Sequence, residues 1–105
     1  MKRDKESHIR DLIEQNRRKL DDMLYRGIIH HMSSQESSYI VKRFQTRIFY
    51  QKRHYTELRT EIDFLGIHVG VKWAKSRNYV SAELDIRQIA SLIRQEYVTR
   101  IRSRA

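Results

Sequence analysis

From Ile9 onward the apolar residues fall at Ile9, Leu12, Ile13, Leu20, Met23 and Leu24, which is the three-and-four spacing of one helix face. Gly27 follows where such a helix would end. After a short linker, Ile28 to Met32, Ser33 with Glu36 three residues later has the pattern of a capping box, in which hydroxyl and carboxylate satisfy each other's free backbone N–H groups. A second helix is expected there. Its stripe is Ile40, Phe44, Ile48, Gln51, Tyr55, Leu58, Ile62 and Leu65, in steps of four and three up to Gly66. At the helical rise, residues 34–65 would form a rod of about 46 Å, longer than a domain of this size is wide, so its overhang needs cover. Tyr, Ile, Val, Phe and Thr between Tyr39 and Tyr50 also favour a strand. The two-step alternation of a strand fails there, because Val41 and Phe49 would share a face with Arg43, Gln45 and Arg47. Helix is therefore the expectation for this segment.

Beyond Gly66 the period changes. Ile67, Val69, Val71 and Trp73 alternate with His68, Gly70, Lys72 and Ala74; Lys75-Ser76-Arg77-Asn78 supplies a polar turn, and Val80, Ala82 and Leu84 alternate again. This predicts a β-hairpin with one apolar face. A lone hairpin is marginal in water, so it should lie on the helices or join its counterpart in a second copy. Asp85 with Gln88 three residues on then caps a last helix, with core positions Ile86, Ile89, Ala90, Ile93, Tyr97 and Ile101. Arg100, Arg102 and Arg104 would decorate its C-terminal end, where positive charge suits the helix dipole. The expected architecture is thus α+β, an antiparallel helical hairpin with a long second helix followed by a β-hairpin and a C-terminal helix (α-α-β-β-α). Residues 1–105 are read as a single domain, and the uncovered rod and hairpin together suggest a homodimer.

Composition narrows the function. The chain has 105 residues with 22 Lys+Arg against 13 Asp+Glu, a formal charge of +9. It has no cysteine and no proline, which leaves out disulfide scaffolds, thiolate metal sites and cysteine nucleophiles. The charged N-terminal stretch Met1 to His8 is no signal peptide, and apolar runs of two or three residues cannot span a bilayer, so a cytoplasmic, intracellular location is expected. Residues 66–105 carry eight basic and three acidic groups, the largest local excess. Between Tyr39 and Tyr55 five basic residues, Lys42, Arg43, Arg47, Lys52 and Arg53, alternate with aromatics and meet no acid.

Arginine forks spaced along one face can engage successive phosphates, and phosphate neutralisation releases counterions to give sequence-independent affinity. The candidate contacts for DNA or RNA are Lys42, Arg43, Arg47, Tyr50, Lys52 and Arg53, with Lys75, Arg77 and Tyr79 at the hairpin tip. Tyr79 faces away from the apolar hairpin face and could stack on a base, whereas Trp73, in phase with Ile67, Val69 and Val71, belongs to the core. A winged helix does not fit, since the stretch before the hairpin, Glu57 to Asp63, is acidic on its exposed side. No metal or cofactor is expected: the five histidines lack partners at ligand spacing, and Glu57 with Glu61 sits among Arg53 and Arg59. A metal-free ribonuclease would draw on Arg53, His54 and Tyr55. The expectation is a small non-enzymatic nucleic-acid-binding accessory factor of the phage or mobile-element kind. The alternative is a regulator or inhibitor whose basic face docks on an acidic protein surface.

Overall fold

The computed structural model describes residues 2–33, 42–69, 73 and 77–104, with side chains from His8 onward. Among the described residues it is an α+β fold of four α-helices and a three-stranded antiparallel sheet. The helices are α1 (Lys2–Gln15), α2 (Asp22–Ser33), α3 (Tyr55–Phe64) and α4 (Ile86–Ile93). The strands are β1 (Phe44–Tyr50), β2 (Tyr79–Leu84) and β3 (Val98–Ser103), in the order β2-β1-β3.

The central strand overturns the expected long helix. In β1 the residues Thr46, Ile48 and Tyr50 point inward and are buried, while Gln45, Arg47 and Phe49 point outward. Thr46 is fully buried, and its hydroxyl donates to the Ala82 carbonyl across the sheet at 2.8 Å, so burial leaves no polar group unpaired. Six cross-strand pairs tie β1 to β2, from Phe44 opposite Leu84 to Phe49 opposite Tyr79. With residues 44–50 in the sheet there is no long rod, and the overhang that suggested a homodimer disappears.

The last helix is shorter than expected for a related reason. It ends at Ile93, and the chain re-enters the sheet as β3, whose Val98 and Ile101 are buried against the same core. Lys19 closes the helix end, its ammonium donating to the carbonyls of Ile93 at 2.8 Å and Gln95 at 3.0 Å. Burial pushes this ammonium below the ordinary lysine range, the neighbouring charge of Arg18 adding to the effect and Glu96 opposing it. At the start of the helix the expected capping box is complete: the Gln88 N–H donates to Asp85 Oδ1 at 2.8 Å, and the Asp85 N–H donates to Gln88 Oε1 at 3.0 Å.

The first expected helix is two. It breaks at Asn16, passes through a 3₁₀ turn at Arg17–Lys19, and makes a parallel bridge from Leu20 to Ile101 at the free edge of β3. Asp21 restarts the helix by accepting from the Leu24 N–H at 3.2 Å and also holds the Ser103 N–H at 3.1 Å. Gly27 does not stop α2. It faces Phe44, and a Cβ there would lie 3.2 Å from the ring. Ser33 closes α2 rather than opening another helix, and Glu36 lies outside the described residues. Gly66 does end α3, in the left-handed region at φ 69°, with the Ile67 N–H returning to the Ile62 carbonyl. Of the expected hairpin, the second arm is β2; the first is represented by Val69 bridging Ala82, and Trp73 packs at the edge of the core.

One core cluster joins the inward sheet residues to Ile13, Leu24, Ile28, Leu58, Ile62, Ile86, Ile89 and Ile93 from the four helices. Among the described residues no helix is long and apolar enough to cross a membrane. Because Asp85 and Gln88 are both buried, Asp85→Ala leaves the Gln88 N–H without its acceptor, and the expected cost is about 1–2 kcal/mol in urea unfolding. A loss under a few tenths of a kcal/mol would contradict this account of α4.

Candidate nucleic-acid interface

Alternation along three paired strands builds a second face opposite the core. Tyr79, Ser81 and Glu83 of β2 lie beside Phe49, Arg47 and Gln45 of β1. On the other side, Phe49 stands opposite Arg100 and Arg47 opposite Arg102. The register shifts between Phe49 and Tyr50, where Tyr50 pairs with Val98 and Thr99 is the extra residue. This bulge lets Val98 face the core while Arg100 faces out. Arg104 extends the row, its N–H donating to the Gln45 carbonyl at 2.9 Å. Across β2, β1 and β3 the outward grid reads Tyr79, Phe49, Arg100; then Ser81, Arg47, Arg102; then Glu83, Gln45, Arg104.

Five arginines therefore serve one face: Arg47, Arg77, Arg100, Arg102 and Arg104, all exposed. Glu83 is the acid within the grid, and it accepts from Gln45 Nε2 at 2.5 Å. Among the described residues none of the five guanidinium groups forms a salt bridge. Arg47 and Arg77 gather instead at Tyr79, with guanidinium carbons 5.5 and 5.8 Å from its ring centre, and Arg77 Nη1 donates to the Tyr79 hydroxyl at 3.0 Å. A hollow of about 300 Å³ lies between Arg47, Phe49, Arg102 and Arg104.

Of the residues singled out from sequence, the fold brings Arg47, Arg77 and Tyr79 together on this face. Lys42 and Arg43 lead into β1 at one end of the sheet, where with Arg104, His30 and His31 they line a groove of about 870 Å³ against α2. Lys52 and Arg53 lie beyond the other end of β1, on the exposed 3₁₀ turn Lys52–His54. Lys75 lies outside the described residues. Tyr50 is not a surface contact: it is buried in the core, donating to the Arg77 carbonyl at 2.7 Å and accepting from the Trp73 indole at 3.1 Å. Phe49, Arg100 and Arg102 were missed as a set. Their signal was the Val98-Thr99-Arg100-Ile101 run, rich in β-branched residues that favour strand over helix.

The residues considered for ribonuclease chemistry sit at the start of α3. His54 hydrogen-bonds Glu57 and stacks on Tyr97 with ring centres 5.5 Å apart, and Arg53 Nε donates to its other ring nitrogen at 3.3 Å. Tyr55 turns toward Trp73, its ring 4.9 Å away. Among the described residues no three His, Cys, Asp or Glu side chains gather where a metal ion could be held.

No family model, curated protein or solved structure matches the chain.

Arg47 opposite Arg102 is a like-charge cross-strand pair, an arrangement that costs stability unless an anion lies between the two groups. Arg102→Glu turns it into an opposite-charge pair. The variant should unfold at higher urea, by about 0.2–1 kcal/mol at low salt, with the gain shrinking as salt is added. An unchanged or lower midpoint would show that repulsion between these side chains is not stored in the fold.

Proposed function

We propose that the protein is a non-enzymatic nucleic-acid-binding protein that acts inside the cell and holds the phosphate backbone on the outward face of its sheet, with little sequence preference. The observation that carries the reading is the Arg47–Arg102 opposition within a face of five arginines and one glutamate. Such a face has a positive potential that its own side chains do not neutralise, and a polyanion supplies the missing charge. Guanidinium groups suit phosphate oxygens because their planar fork can donate two parallel hydrogen bonds. Lys42 and Arg43, at the rim beyond Gln45, extend the positive track along the direction of β1.

A rigid sheet carrying side chains of this kind has no means of reading base-pair edges. A three-stranded sheet backed by helices is about 10 Å from first to last strand axis before side chains are added, which is too wide to enter a major groove that admits one helix or a two-stranded ribbon. Contact through phosphates follows, and affinity then depends on salt more than on sequence.

Fluorescence anisotropy with labelled 25-nucleotide DNA and RNA of unrelated sequences, at 50 and 200 mM salt, tests this. With about five phosphates neutralised, affinity should fall by about 100-fold or more between the two salts, and Arg47→Glu/Arg102→Glu should abolish binding at both. Binding by the double variant equal to that of the unsubstituted protein would overturn the proposal. So would a lack of binding at 50 mM salt, and capture of an acidic protein after nuclease treatment would then favour a protein ligand.

A further inference from the structure

We infer that the nucleic acid bound on this face is single-stranded and that its bases stack on the Phe49–Tyr79 pair; the inference rests on the phosphate-binding reading above. Phe49 breaks the alternation of β1, being an aromatic in the outward phase between Arg100 and Tyr79. Neither Phe49 nor Tyr79 is among the side chains packed against the hydrophobic core. Both are half-buried, and their ring centres lie 5.5 Å apart on neighbouring strands, with planes inclined by 35°. Two adjacent rings at the surface of an otherwise polar, cationic sheet thus lack the core packing that usually accounts for a large aromatic.

The placement of charge relative to the rings gives the ligand a direction. Arg100 and Arg102 of β3 and Arg104 just past its end occupy every second position, roughly 7 Å apart, and form a rail at one edge of the face. From that edge Phe49 is one strand away and Tyr79 two, or about 5 and 10 Å. A backbone laid along the rail projects its bases across β1 toward β2, over the hollow between Arg47, Phe49 and Arg102 and onto the rings. Only unpaired bases can do this, because a duplex buries the faces of its bases in its own stack and offers phosphates alone. The Arg47 and Arg77 guanidinium groups beside Tyr79 add planar cations that stack on bases as well.

The test compares a labelled 12-nucleotide single strand, as oligouridine and as oligodeoxythymidine, with a 12-base-pair duplex at 100 mM salt. Single strands of either sugar should bind at least tenfold more tightly than the duplex. Phe49→Leu and Tyr79→Leu keep an apolar side chain and should each weaken single-strand binding by about 5- to 150-fold, with duplex binding weakened less than that, while Tyr79→Phe retains affinity. A second readout needs no variant: photocrosslinking 5-iodouracil oligonucleotides to the unsubstituted protein should place the adduct on Phe49 or Tyr79. Equal binding of duplex and single strand, insensitivity to both leucine variants, or adducts confined to other residues would overturn the inference. If Arg47→Glu/Arg102→Glu still abolishes binding in that case, the phosphate-binding reading stands without it; if that double variant is silent too, both readings fall.

Discussion

The core and the outer face of the sheet both hang on the pleat of one strand. β1 is paired on both sides, so its outward residues are held between two neighbours rather than one, and a slip of a single residue would exchange the core set for the arginine set. Thr46 guards that register. Its hydroxyl is buried and satisfied by the Ala82 carbonyl; in a shifted register the hydroxyl would lose that acceptor while an arginine entered the core. The same pairing that seals Ile48 and Tyr50 inside therefore sets Arg47 against Arg102 and Phe49 against Tyr79 outside.

Sequence reasoning succeeded and failed along a line that geometry explains. Residues four apart lie on the same side of both a helix and a strand, because four is close to one helical turn and is also even. Steps of three separate the two, being close to one helical turn but odd. In the stripe Ile40, Phe44, Ile48 every step is four, and the first odd step reaches Gln51, which is polar. In the last helix the steps of three end at Ile93, and Tyr97 and Ile101 follow by fours; the helix ends at Ile93. Where odd steps recur, as in Tyr55, Leu58, Ile62 and Leu65, a helix was legible, and so were its glycine stop and the Asp85–Gln88 capping box. The break between α1 and α2 was hidden by Asn16 and Asp21, whose side chains make backbone hydrogen bonds that no periodicity reveals.

Legibility of the site followed the same division. Arg47, Arg77 and Tyr79 could be named from charge and aromatic spacing, but the rail on β3 required knowing that residues 98–103 are a strand. Phe49, with Val41, made a strand look wrong, since the two placed apolar side chains on a face with Arg43, Gln45 and Arg47. In the fold Phe49 pairs with Tyr79 across the sheet, and on the proposed reading the break in pattern belongs to a surface that serves a ligand. Repulsion among the five guanidinium groups opposes folding, and the buried core on the other side of the sheet offsets it.

Tyr50 shows how the two faces are coupled. Sequence suggested it as a contact residue beside Arg43 and Arg47 on one side of an expected helix, and the fold buries it instead. From inside, its hydroxyl donates to the carbonyl of Arg77 and accepts from the Trp73 indole, pinning the backbone where the chain enters β2. Arg77 extends from that pinned point to Tyr79, and Tyr79 lies against Phe49. The core thus reaches the outer face through one hydrogen-bonded tyrosine, and an arginine that would otherwise sample many rotamers is delivered beside the aromatic pair. For the binding proposed on this face, part of the ordering cost would in this way be met by folding, before any ligand arrives.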